Sequence, residues 1–146
     1  MINLSEDVKV VRVMDAVAAG TSNQTGTTID TADYDGCMFV AAFGTLSAGA
    51  VTSLKAQGGA KSDGSDAADL AGTNTAIPQS DSNGCVLLDI FRPQQRYLTP
   101  VVLRGTGNAV IDGVFAILYR GRNKPVALDA TVAARTVLAS PAPGTP

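Results

Sequence analysis

No apolar run in this chain has the length and the 3.6-residue period of a helix of three turns. Apolar residues come instead in short bursts: VKVVRVM at 8–14, CMFVAAF at 37–43, CVLLDIF at 85–91, YLTPVVLR at 97–104 and AVIDGVFAILY at 109–119. Between them lie stretches dense in Gly, Pro, Asn, Asp, Ser and Thr. Bursts of this length, rich in Val, Ile and Phe and bounded by turn residues, read as strands. With weaker strands at Thr27–Asp30 and 50–57 the count is six or seven, and with long connections it predicts an all-β fold: a β-sandwich or jelly-roll-like single domain, with a small barrel as the variant. A chain of 146 residues fits one such domain. Its boundaries are read as 1–124 for the β domain and 125–146 for an extended C-terminal arm that ends in PAPGTP.

Local chemistry refines each segment. Lys9 and Arg12 mark 8–14 as an edge strand, since charges guard an edge. The polar stretch 20–36 is a long connection with a short strand at Thr27–Asp30. CMFVAAF reads as a strand buried on both faces, and GTLSAG at 44–49 as the turn joining it to 50–57 in a hairpin. Residues 58–84 carry few apolar side chains; one helical turn is expected around Asp66–Leu70, capped by Ser65 and stopped by Gly72. A loop of this length tends to be functional, and this one is placed to reach a neighbouring subunit. Pro100 puts 97–104 at a sheet edge or a bulge, GTGN at 105–108 is a hairpin turn, and Gly113 marks a bulge.

Several chemistries are set aside by composition. The chain has no His, which removes Ser-His and Cys-His nucleophile pairs and imidazole-ligated metals. It also carries no Walker, GxSxG, HExxH or CxxC pattern. No enzyme activity, cofactor or metal is expected. Asp63, Ser65, Asp66 and Asp69 are dense in oxygen but lack the spacing of a calcium loop, and Asp30, Asp33 and Asp35 form a second acidic cluster. Cys37 and Cys85 both open apolar runs and are expected to be reduced, buried thiols. The first fifteen residues have no apolar stretch behind a basic start, so no secretory leader and no membrane segment are expected, and synthesis is placed in a cytoplasm.

Charge is unevenly spread. Residues 1–90 hold four basic and eleven acidic side chains, a net of −7, whereas 91–146 hold seven basic and two acidic, a net of +5. Opposite-sign halves suit packing against further copies of the chain or an oppositely charged partner, and nothing resembles the basic footprint of a nucleic-acid binder. The basic residues cluster in RPQQR and RGRNK: Arg92, Arg96, Arg120, Arg122 and Lys124 form one cationic patch if the two strand ends meet at the same edge. The arm adds Val126, Leu128, Val132, Val137 and Leu138, apolar side chains expected to find burial on a surface outside the arm.

The order of segments carries a resemblance. It runs from a Val-rich first strand through TTIDTADYDGCMFVAAFG, AVTSLKAQGG and SDGSDAADLAGT to VLLDIFRPQQRYLTPVVLRGTGNAVIDGVFAILYRGRNKP and an Ala/Thr/Pro tail. Over roughly residues 8–140 this resembles the small head structural proteins of tailed bacteriophages that act as capsid cement or decoration proteins. The resemblance implies a virion protein on the outer capsid surface that clamps the major capsid protein, assembles as a homotrimer or a dimer, and has no catalytic residues. A tail, head-fibre or head-completion component is the nearest alternative. A carbohydrate-binding β-sandwich is a further one, disfavoured by the absence of Trp and the presence of only Tyr34, Tyr97 and Tyr119.

Overall fold

A computed structural model describes residues 3–145. The protein is a β-sandwich of two antiparallel sheets. After one helical turn, α1 (Leu4–Asp7), come β1 (Lys9–Met14), β2 (Val17–Gly20), β3 (Gln24–Thr25), β4 (Ile29–Asp30), β5 (Gly36–Leu46) and β6 (Thr52–Gly59). They are followed by β7 (Ala68–Asp69), β8 (Thr75–Ile77), a 3-10 turn at Gln79–Asp81, β9 (Cys85–Phe91), β10 (Tyr97–Arg104) and β11 (Ala109–Tyr119). The first sheet has the order β1-β11-β5-β9, with β2 also on β11; the second runs β3-β10-β6-β7, with β4 on β10 and β8 on β6. Both edges of the second sheet are thus pairs of short strands, which offer little free ladder to another chain.

The core lies between the sheets. Phe39, Phe43, Ile111, Leu118 and Val13 from the first sheet meet Leu54, Leu98 and Val102 from the second, all fully buried. β5 alternates: Cys37, Phe39, Ala41 and Phe43 are buried, while Met38, Val40 and Ala42 on the opposite face are only half-buried. The expectation of burial on both faces is corrected accordingly, because no third layer covers the outer side.

The two expected hairpins are not hairpins. β5 and β6 belong to different sheets, as do β10 and β11, so 47–51 and 105–108 carry the chain from one sheet to the other. These two crossings are bonded to each other: Ser47 N donates to Asn108 O at 2.9 Å and Val51 N to Thr106 O at 2.9 Å. Sequence motifs for a tight turn are the same whether the chain returns in its own sheet or arches to the other, and packing decides.

Pro100 sits in an interior strand, not at an edge, but where the neighbouring strand is interrupted. β10 is flanked by β6 on one side and by β3 and β4 on the other. The backbone between β3 and β4 leaves the ladder there, and only Gly26 N reaches Pro100 O, at 2.8 Å. The missing N–H therefore faces no acceptor in a regular ladder. Gly26 is required at this point, since a Cβ would stand 2.8 Å from both the Pro100 ring and Val13 O. Gly113 lies at a register shift of β11, as its position in the strand suggested.

No helix forms at Asp66–Leu70. The Asp66 carboxylate instead accepts the Ala60 and Lys61 N–H groups at 2.9 and 3.1 Å, and β7 and β8 fold back along β6. The long loop thus packs on its own sheet.

Arg104 is the least expected core residue. It is 4 % exposed. Its Nε donates to Ser22 O at 2.7 Å, and its Nη1 to Ala18 O at 2.8 Å and Ala109 O at 2.9 Å. Its backbone N–H bonds Asn23 Oδ1 at 2.9 Å. One guanidinium at the end of a second-sheet strand thereby holds the 18–23 connection to the first sheet.

Candidate functional site

Three connections meet at one end of the sandwich: 31–35 before β5, 92–96 between β9 and β10, and 120–124 after β11. Backbone hydrogen bonds tie them together. Thr31 N donates to Arg96 O at 2.9 Å, Arg92 N to Asp35 O at 2.7 Å, Asp35 N to Tyr119 O at 3.2 Å and Arg122 N to Asp33 O at 2.9 Å. The Thr31 hydroxyl also donates to Arg96 O, at 2.8 Å. A cleft of about 470 Å³ opens between them, walled by Tyr34, Pro93 and the side chains of Arg92, Arg96 and Arg122.

The two basic segments therefore do converge, and the acidic cluster at 30–35 lies among them. Arg96 is fixed by a two-point contact with Asp30, Nε to Oδ1 at 3.0 Å and Nη2 to Oδ2 at 2.8 Å. That hydrogen bond holds the Asp30 carboxyl below its ordinary range. Arg120 stands 3.4 Å from Asp35. Arg92 lies over the Phe91 ring, 5.1 Å from its centroid. Among the described residues, no carboxylate pairs with Arg92 or Arg122. Arg92 and Arg120 both adopt left-handed backbone, φ 51° and 54°, a conformation costing an ordinary residue roughly 1–2 kcal/mol.

Lys124 is not in the cleft; it pairs with Asp7. The arm then runs along β1 of its own domain. Val126 is buried and its N–H bonds Glu6 O at 2.8 Å. Thr131 Oγ1 accepts Arg12 N at 3.0 Å, Asp129 pairs with Lys9 at 3.3 Å, and Arg135 donates to Ser5 O at 3.0 Å. Leu128 and Val132 line an apolar groove of about 250 Å³ with Val8 and Val10. Val126 thus finds its burial outside the arm, on the chain's own domain, because the β1 edge lies within reach of 125–135. Leu128, Val137 and Leu138 stay exposed.

A second surface was not singled out from sequence. The outer face of the first sheet carries the rows Arg12, Phe115, Val40, Leu87 and Val10, Ile117, Met38, Asp89, read across β1, β11, β5 and β9. Leu87 is 56 % exposed and Phe115 36 %. Phe91 and Cys85 extend the face along β9, both exposed. The burial expected of Cys85 is corrected: it starts an edge strand on the outward side. Cys37 is buried as expected, and burial pushes its thiol up to about 12. Across this face the Tyr119 ring lies on Gly36, and its hydroxyl donates to Asp89 at 2.7 Å; burial, then that bond, raises Tyr119 to about 12. The signal in sequence was the near-continuous apolar run 85–91, which puts Cys85, Leu87 and Phe91 on the face opposite Val86 and Leu88, with only Asp89 polar among them.

The acidic loop offers no open oxygen cluster. Asp63 accepts Ser65 N at 2.9 Å, and Asp69 takes Lys55 at 2.7 Å and Gln57 at 2.8 Å. No group of three or more Cys, Asp or Glu stands at metal-binding distance among the described residues. No helix among them is long and apolar enough to cross a membrane. No protein-family model matches this chain, and no curated protein matches it.

Proposed function

We propose that this chain is a structural virion protein of a tailed bacteriophage, a cement or decoration subunit that binds the outer capsid surface and holds major capsid protein subunits together. It acts by binding and performs no chemistry. The observation that carries this reading is the apolar outer face of the β1-β11-β5-β9 sheet. Four strands about 4.8 Å apart and three same-face positions about 6.7 Å apart cover roughly 400 Å² of flat area. Arg12 and Asp89 lie at its two edge strands, and the apolar positions between them form a patch of a few hundred Å², a size that is often functional on a small domain. The segment order, like that of phage head structural proteins, and the split between an acidic and a basic part of the chain favour the same reading, with self-association into a trimer. Many copies on a shell add avidity, so each contact can be modest.

The test is co-sedimentation with shells assembled from the major capsid protein of the phage that encodes the chain. Wild-type protein pellets with the shells, and the double variant L87D/F115D does not, although its urea midpoint is unchanged. Equal pelleting of both proteins, or no pelleting of the wild type, refutes the proposal.

A further inference from the structure

We infer that the arginine cleft at the end of the sandwich is a binding site for an acidic peptide segment, with the Arg92 and Arg122 guanidiniums gripping its carboxylates. The site adjoins the Phe91 end of the apolar sheet face, and the inference does not depend on the capsid reading. Three observations carry it. First, the cleft is built before any ligand arrives, since backbone hydrogen bonds lock 31–35, 92–96 and 120–122 to one another. Little ordering is then needed on binding. Second, its arginines differ in state. Arg96 is held by Asp30 and so serves as a wall, while Arg120, outside the lining, is held by Asp35. Arg92 and Arg122 line the same cleft with no carboxylate partner among the described residues. Third, Arg92 is kept in left-handed backbone at φ 51°, with its N–H bonded to Asp35 O and its guanidinium stacked on Phe91. That backbone, its hydrogen bond and the stacking fix where the Arg92 guanidinium stands in the cleft wall.

The ligand class follows from size and charge. A volume of about 470 Å³ holds several residues of an extended chain and is far too large for one small ion. Two guanidinium forks without carboxylate partners among the described residues match two carboxylates, each taken bidentately. Tyr34, Pro93 and Ala32 supply the apolar wall that the methylene groups of Glu side chains require.

The test is isothermal titration of the full chain with tetra-glutamate blocked at both ends, and separately with inorganic phosphate, at matched ionic strength. The peptide binds, and R92A/R122A weakens it at least tenfold. R92K/R122K, which keeps both charges and loses both forks, falls between. R12A, which removes a positive charge from the sheet face, leaves the affinity unchanged. Both arginines in the double variant are exposed, and an unchanged urea midpoint verifies that it is folded. The inference is overturned if the peptide fails to bind at low salt, if R92A/R122A binds it as wild type does, if R12A weakens it equally, or if phosphate binds as tightly as the peptide.

Discussion

Replacing Arg104 by Met keeps most of the buried stem and removes every side-chain donor, so it isolates what the guanidinium does. Three hydrogen bonds from a charged group are lost, those to Ser22 O, Ala18 O and Ala109 O. Each such bond contributes about 1.5–3 kcal/mol net. The acceptors do not suffer equally. The contacts to Ser22 and Ala18 are part-buried, so water can replace the lost donors, whereas the contact to Ala109 is buried and its carbonyl is left bare at about 1–3 kcal/mol. Against this, the wild-type protein bears the cost of desolvating a cation with no carboxylate beside it among the described residues, several kcal/mol that the variant does not bear. The balance is a loss of about 2–4 kcal/mol out of the roughly 5–15 typical of a domain. With a urea slope of about 2 kcal/mol/M, the midpoint falls by roughly 1–2 M in unfolding followed by circular dichroism. R104K keeps the charge but not the fork and falls in between. An R104M midpoint within about 0.25 M of wild type at an unchanged slope refutes the reasoning, because it means that desolvation cancels the bonds.

Native protein exposed to a maleimide reagent incorporates one label, at Cys85, and a second only on unfolding; two labels at equal rates contradict the burial of Cys37. Gly26→Ala lowers stability by about 1–3 kcal/mol, read by urea midpoint, because its Cβ meets both the Pro100 ring and Val13 O; an unchanged midpoint contradicts the close approach. Deleting 125–146 leaves a β-type circular dichroism spectrum and costs about 1.5–3 kcal/mol, the burial of Val126, with no cost at all contradicting its docking beside α1. Asp30, lowered by its bond to Arg96, contributes stability that is fully present above the ordinary carboxyl range near 3.8 and is lost as pH falls through its lower folded value. Asp30→Asn therefore flattens the acid limb of stability below about pH 4 and leaves the profile at pH 5–7 parallel to wild type; a change in slope at pH 6 contradicts the assignment.

Local pattern carried most of the strands and little of their arrangement. The bursts at 8–14, 37–43, 85–91, 97–104 and 109–119 became β1, β5, β9, β10 and β11 because Val, Ile and Phe between turn residues satisfy both propensity and burial. Sheet membership was not readable, since GTLSAG and GTGN turn the chain in either geometry and only the core on both sides selects the arch. Asp66 was read as part of a helical turn because Asp, Ala and Leu also suit one; its carboxylate found two loop N–H groups instead. Arg104 ends a strand in front of Gly105, and nothing nearby in sequence announces the carbonyls of Ala18 and Ser22. In the cleft the basic segments were visible as charge, and their convergence depended on β9 and β11 ending at the same edge. Which arginines remain without a carboxylate partner depended on Asp30 and Asp35, some sixty to eighty-five residues away in the chain.

The first sheet is closed by its most distant partners: Lys9 pairs with Leu118 and Arg12 with Phe115. On a ribosome adding about 5–20 residues per second, β1 waits roughly 5–20 s before β11 exists to receive it. Through that interval Val11 and Val13 have no sheet to enter, and β5, with β11 not yet made, has only β9 beside it. The charges on Lys9 and Arg12 therefore serve a nascent chain as well as a finished edge, keeping an orphan strand from pairing with its neighbours on a polysome.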